Sequence, residues 1–358
     1  MSHACAPPIR PGFSLTLRAF CILASLTFTS GVTLAAERVY SPPRLEDGHV
    51  DLQGMWALTN ITSLERAAHF KTLVISATQA EIRNAQRSTI LKEELRASDQ
   101  FVDTLFVEPI LGELHSSIII DPQDGLIPGT ALFHRLRAER RAALLTAFDG
   151  PEQRPTSERC LQQFDSAPPI LFNASESLHY IVQTPGVVVM AAEAMHDTRI
   201  IRMNAKHRPA TIQSWLGDSV AAWEGDTLVV ETKYFARSSE ARASGANVYF
   251  VSPQTTVVER FTRVSDDELH YVFTVDDPAY YTRTWTGENS FRRSWEKMFE
   301  VACHEGNYSL GYALQGARAQ EAQDGPRSTA SAPSLLPPLP PPAPSGIAHT
   351  PSRRPPGW

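Results

Sequence analysis

From Leu178 to Thr286 apolar and polar residues alternate in short runs separated by turn residues. Period-two alternation is the signature of strands with one buried face. It predicts strands at His179–Thr184 and Val187–Met195 about the turn Pro185-Gly186, then at Arg199–Met203, Ser219–Trp223 and Thr227–Phe235. Thr255–Val264 and Leu269–Asp276 follow, joined by Ser265-Asp266-Asp267-Glu268, then Tyr281–Thr286 and Met298–Cys303. The pattern is cleanest in Leu269–Asp276, where Leu269, Tyr271, Phe273 and Val275 share a face opposite His270, Thr274 and Asp276. Glu224-Gly225-Asp226, between SVAAW and TLVVETKYF, supplies the φ > 0 residue that a tight hairpin needs. Each connection is short enough for antiparallel neighbours. A serial meander of this kind closes into an up-and-down barrel or leaves a strongly curled sheet with open edges. The expected fold class is therefore mainly β.

Upstream the pattern changes. Asp51–Leu58 reads as a first strand. Residues 76–98 read as a helix, with capping-box spacing at Thr78-Gln79-Ala80-Glu81 and with Ile82, Ile90, Leu91 and Leu95 toward one face. The apolar run Ile118–Ile120 precedes a loop, Asp121-Pro122-Gln123-Asp124-Gly125, and a second helix is predicted over 130–148 with a basic middle at Arg135, Arg137, Arg140 and Arg141. Residues 60–175 thus read as a helical and loop insertion on a β core, a separate small domain being the alternative. Residues 308–323 read as a short closing helix.

The chain ends add two expectations. Residues 1–36 lack acidic side chains, and Arg10 and Arg18 precede the apolar run AFCILASLTF, which gives way to Thr33-Leu34-Ala35-Ala36. This is a secretory signal pattern with cleavage near Ala35 or Ala36. The apolar run is shorter than the ~20 residues of a spanning helix, so the expectation is a removed leader and no membrane span, a membrane anchor being the alternative. From about Gly325 the Pro-rich stretch PSLLPPLPPPAPSGIAHTPSRRPPGW cannot bury a core. The expected organisation is a leader over 1–36, one β-rich domain over 37–323 and a disordered tail over 324–358.

With 33 basic and 39 acidic residues, loss of Arg10 and Arg18 takes the formal charge from −6 to −8. No basic stripe with interleaved aromatics is present, which argues against a nucleic-acid partner. Cys5 and Cys21 leave with the leader, and the remaining pair, Cys160 and Cys303, is most simply one disulfide in a periplasmic or secreted protein.

Candidate chemistry clusters at strand ends. His196, Asp197 and Arg199 fit either an acid/base set or a structural ion-pair network. His304 and Glu305 follow Cys303. A Cys-His nucleophile pair is disfavoured, because adjacent strand residues face opposite ways. A zinc site from His196, His304 and a carboxylate would lack any short-spaced ligand pair. P-loop, Gly-x-Gly-x-x-Gly and Gly-x-Ser-x-Gly patterns are absent, and no cofactor is implied. In Thr255–Val264 one face carries Val257, Glu259, Phe261 and Arg263, and the other Val258, Arg260 and Thr262. A charge facing a dry core needs a partner, so the inner face is expected to line a polar or partly wet cavity, a strand-end charge reaching solvent being the alternative.

Two resemblances bear on these readings. Gly54-Met55-Trp56 resembles the opening strand of lipocalin-like barrels. The string HDTRII, WLGDSVAAWEGDTLVVET, VERFTRVSDDELHYVFTVDDPAYYTRTWT and ACHEGNYSLGYALQGARAQE resembles a large family of exported bacterial proteins, over roughly residues 51–321. Thr284 departs from the proline that family usually has before Trp285, and Asn204–Pro209 is more basic than its pattern. The resemblance implies export but no activity to carry over.

Three functional readings follow. The first is a binding protein holding a small, partly apolar molecule in a lipocalin-like barrel, with a wall from Trp56, Trp215, Tyr271 and Trp285. Arg199, Trp215, Asp218, Arg283, Trp285 and Glu300 are its candidate binding residues. The second is an enzyme on the same scaffold, of hydrolase or isomerase type, with His196, Asp197, His304 and Glu305 as candidate acid/base groups. The third is an envelope-structural protein. For the first two, His196, Asp197, Arg199, Asp218, His304 and Glu305 are expected together at one barrel end. The sequence leaves ligand identity and oligomeric state open.

Overall fold

The computed structural model describes residues 40–95, 107–163, 165–172, 178–237, 241–244 and 247–324. The leader over 1–36, its cleavage near Ala35 or Ala36 and the tail from Gly325 lie outside the described residues. The elements in chain order are β1 (Gly54–Ala57), α1 (Ala77–Leu95), β2 (Pro109–Ile110), β3 (Glu113–Leu114), β4 (Ile119–Asp121), α2 (Ala131–Thr146), β5 (Leu178–Gln183), β6 (Val187–Ala192) and β7 (Thr198–Met203). They continue with β8 (Asp218–Glu224), β9 (Thr227–Lys233), β10 (Ala241–Ser244), β11 (Asn247–Phe250), β12 (Thr256–Arg263), β13 (Glu268–Asp276), β14 (Trp285–Arg293) and α3 (Ser309–Asp324).

The meander closes into a barrel. Nine strands run in the order β1-β5-β6-β7-β8-β9-β12-β13-β14, and pairing of β1 with β14 (Trp56↔Arg293, Ala57↔Arg292) completes the ring. β1 has four residues and β14 nine, so β1 covers only part of the seam. β4, from the helical and loop insertion, pairs with the rest of β14 at Thr286 and Gly287. The insertion therefore helps complete the sheet.

One connection differs from the antiparallel expectation. β7 and β8 are parallel, with Arg202↔Val220 and Met203↔Ala221 in register. An odd number of strands cannot alternate direction all the way round a closed ring, so at least one pair must be parallel. The loop over 204–217 carries the chain back, as a parallel pair requires. At its exit the Asp218 carboxylate takes both oxygens to Arg202 Nη2 at 2.8 Å, and also meets His207 Nδ1 at 2.8 Å and the Arg208 backbone N–H at 3.0 Å.

Several strand and helix limits move. The capping box belongs to Ser76 and Gln79: Ser76 N–H donates to Gln79 Oε1 at 2.9 Å, and Gln79 N–H to Ser76 Oγ at 3.3 Å. β6 ends at Ala192, ahead of a short turn in which Met195 and His196 take φ of 56° and 54°. The strand read at Tyr281–Thr286 begins instead at Trp285 and runs to Arg293. Inside β14, a Cβ on Gly287 would lie 2.4 Å from Phe273 Cζ and 3.1 Å from Ile118 Cγ2. The glycine is there so that the Phe273 ring and the segment leading into β4 can approach β14. Met298–Cys303 is irregular coil, with Phe299 73% exposed. The hairpin β10–β11 is a separate two-stranded sheet between β9 and β12, in a stretch that sequence alternation does not mark.

Gly225, with φ of 60°, turns β8 into β9 as the sequence requires. The Cys160–Cys303 disulfide is present, joining the segment after α2 to the coil after β14 across 143 residues. Closing a loop of that length is worth about 5 kcal/mol on the chain-entropy model. No helix among the described residues is long and apolar enough to cross a membrane.

Large apolar side chains line the barrel interior. Trp56, Val257, Phe261, Leu269, Tyr271, Phe273, Val275 and Trp285 are all 0% exposed. Each such burial contributes about 1.5–3 kcal/mol. Barrels of about eight strands have an interior just wide enough for side chains to fill or to hold one small ligand.

Candidate ligand-binding site

Strand directions bring much of the candidate chemistry to one end of the barrel. There β6 and β9 end, and β7, β8, β12 and β14 begin. His196, Asp197, Arg199, Trp215, Asp218 and Trp285 belong to those strand ends or the loops beside them. Glu300 lies on the coil that crosses the same region, where Phe299 N–H donates to Glu193 Oε1 at 2.8 Å and Val301 N–H to His196 Nε2 at 3.1 Å.

The side chains do not converge. His196, Glu300, His304 and Glu305 are exposed. Asp218 is committed to the outer network around the 204–217 loop. Arg283 forms an exposed pair with Asp121 at 2.9 Å. Trp215 is half-buried, and its carbonyl accepts from Gln162 Nε2 at 2.9 Å. The Trp285 ring packs inside, edge-on to Phe273 and Tyr281 at centroid distances of 5.6 and 5.8 Å. Among the described residues no group of three His, Cys, Asp or Glu side chains is placed to hold a metal ion.

Arg199 points into the barrel and is 3% exposed. Its Nη1 and Nη2 meet Glu259 Oε1 and Oε2 at 3.1 and 2.5 Å, and Nη2 also reaches Thr232 Oγ1 at 3.3 Å and Ser219 Oγ at 3.4 Å. Tyr271 O–H donates to Glu259 Oε1 at 2.9 Å and accepts from Ile170 N–H at 2.9 Å. Burial, then the Glu259 charge, raises the Tyr271 phenol well above its ordinary range. The inward charge on β12 thus faces a paired arginine, where the sequence suggested a wet cavity. The low-dielectric interior accepts it because the fork-to-fork geometry pairs the two charges directly.

Asp197 turns in the other direction. Its carboxylate accepts from Ser166 Oγ at 2.5 Å. Burial raises its pKa, partly opposed by the Ser166 hydrogen bond and the Arg242 charge. For Asp218, burial acts upward, but the bonds from His207 and the Arg208 N–H, with the Arg202 charge, hold it below the ordinary carboxylate range.

Sequence reasoning missed the hairpin that enters this end. β10 pairs with β11 so that Arg242 stands opposite Tyr249. Arg242 is 3% exposed and Tyr249 0%. Among the described residues, Arg242 Nε, Nη1 and Nη2 and the Tyr249 hydroxyl have no hydrogen-bond partner. Trp285 Nε1 has none either, and its ring lies 6.4 Å from that of Tyr249. The Arg242 Cζ sits 5.6 Å from the centre of the Phe235 ring. Burial pushes the Tyr249 phenol up to about 12. Arg242 lies in the polar run SSEARASGAN, which reads as loop and gives no sign of an inward face.

No family model matches the chain. The comparison with curated proteins finds no match either. Among solved structures the chain is similar to a mutant of the fluorescent protein UnaG, at 16% identity over 39% of this chain and 86% of that one, with a TM-score of 0.21, too low to carry any argument.

Proposed function

We propose that this is an exported protein that binds a small, partly apolar molecule at the barrel end entered by β10–β11. One observation carries the reading: buried donors at that end, on Arg242, Tyr249 and Trp285, have no acceptor among the described residues. An unmet buried donor is costly, and a guanidinium more so. Such groups recur where a ligand supplies the missing partner. The aromatic side chains at the same end, Phe235, Tyr281 and Trp285, are apolar company for the rest of the molecule. Export is supported by the leader pattern and by a disulfide suited to an oxidising compartment.

Native mass spectrometry of protein isolated gently from its own compartment tests this. A bound small-molecule mass is expected on the wild type and not on Arg242→Met. Wild-type protein that consistently arrives without one would remove the reading. N-terminal sequencing of the same sample is expected to begin near residue 36 or 37.

A further inference from the structure

The chemistry of β10–β11 narrows the class of ligand; this step rests on the binding reading above. Arg242 and Tyr249 are directly opposed across the hairpin, so their side chains leave the same face. Both are buried and both lack hydrogen-bond partners among the described residues. What they present together is a planar fork of N–H donors beside a phenol O–H.

The charged neighbours limit what can sit there. Asp165, Asp197 and Arg199 act electrostatically on this pair. Arg199 is neutralised by Glu259, and Asp197 is engaged by Ser166. Among the described residues neither Asp165 nor Asp197 hydrogen-bonds the Arg242 guanidinium, whose nitrogens have no hydrogen-bond partner there. With two carboxylates in range, a dianion such as a phosphate monoester would be repelled more than a monoanion. A single carboxylate matches the guanidinium in shape, offering two coplanar oxygens to two N–H groups.

We infer that Arg242 and Tyr249 hold the carboxylate of a small apolar monocarboxylic acid, the arginine through two parallel hydrogen bonds and the tyrosine through its O–H. The apolar body of the acid lies toward Phe235, Tyr281 and Trp285.

The test is a titration of the purified full chain with decanoate and benzoate, and with their neutral counterparts decanol and benzyl alcohol. Calorimetry and tryptophan fluorescence follow binding. At least one acid is expected to bind tenfold or more tightly than its alcohol. Arg242→Met and Tyr249→Phe should erase that preference. Tyr249→Phe removes a hydroxyl with no hydrogen-bond partner among the described residues, so its fold should be intact. An alcohol that binds as tightly as its acid, or a preference that survives in both variants, overturns the carboxylate inference and leaves the binding reading standing. If no probe binds, the molecule carried by the native protein decides. A neutral molecule overturns the inference, an acid lost from both variants supports it, and native protein carrying nothing overturns inference and binding reading together.

Discussion

Two arginines enter the same end of this barrel and meet opposite fates. Arg199 comes from a barrel strand, and its guanidinium is met by Glu259, Ser219 and Thr232, with Nε alone left without a partner. Arg242 comes from the accessory hairpin, is equally buried, and among the described residues has no hydrogen bond from any of its three nitrogens. Their composition and burial are alike, so neither explains the contrast. Strand register does: Arg199 and Glu259 lie on inward faces of β7 and β12, fixed by continuous ladders through β8 and β9. Arg242 stands on a two-stranded sheet outside that ladder. The first arrangement completes itself and belongs to the fold. The second has no acceptor among the described residues, and a ligand placed there would complete it.

The largest expected effect converts the first arginine into the second. Glu259→Leu leaves Arg199 buried without its counterion, and should cost about 3–5 kcal/mol in urea unfolding. A loss below about 1 kcal/mol would show that Arg199 does not depend on Glu259, and the contrast would collapse. Arg242→Met should act with the opposite sign. Removing an unpaired buried charge is expected to stabilise the ligand-free protein by about 1–3 kcal/mol, less the attraction to the Phe235 ring. If it destabilises instead, Arg242 has a structural role and the two arginines are alike. Smaller still is the double change Arg199→Met with Glu259→Leu, expected within about 1 kcal/mol of wild type, because a buried pair replaced whole by apolar groups is often neutral. A loss near that of Glu259→Leu alone would mean the pair stabilises beyond its own desolvation.

The subtlest test concerns the carboxylates around the two sites. Asp197 has a raised pKa in the folded protein, so the folded state holds its proton more tightly than the unfolded state. Its contribution is fully present below the ordinary aspartate value of about 4 and is lost as pH rises through the folded value. Asp218 is depressed, so its contribution is present above about 4 and is lost as pH falls through the folded value. Melting curves across pH should therefore flatten on the rising side for Asp197→Asn and on the acid side for Asp218→Asn. Curves parallel to wild type would show that these ionisations are not linked to folding.

Legibility in the sequence followed the range of the interaction. The strands from Leu178 to Asp276 were readable because the pleat sets alternation locally, and Gly225 was readable because a tight turn needs its φ. Glu259 could be flagged as an inward charge, and two cysteines left one simple pairing. The site was much less readable. His196, His304 and Glu305 lie in a distinctive motif string, yet their side chains end on the surface, because Met195 and His196 turn the chain outward after Ala192 and Met298–Cys303 pairs with no strand. The strand expected at Tyr281–Thr286 lies instead at Trp285–Arg293, where Gly287 is required by a Phe273 ring fourteen positions earlier.

By itself, then, the sequence determined a β meander, its principal turns, the inward charge on β12 and the pair of cysteines, all properties of the backbone or of simple counting. Tertiary structure decided that nine strands close with one parallel pair, that Glu259 meets Arg199 sixty residues away, and that Arg242 turns inward with no hydrogen-bond partner among the described residues. The physical reason is that closure and register are set by the whole ring of hydrogen-bonded strands. Which buried charge finds a partner depends on that ring and on no local stretch of it.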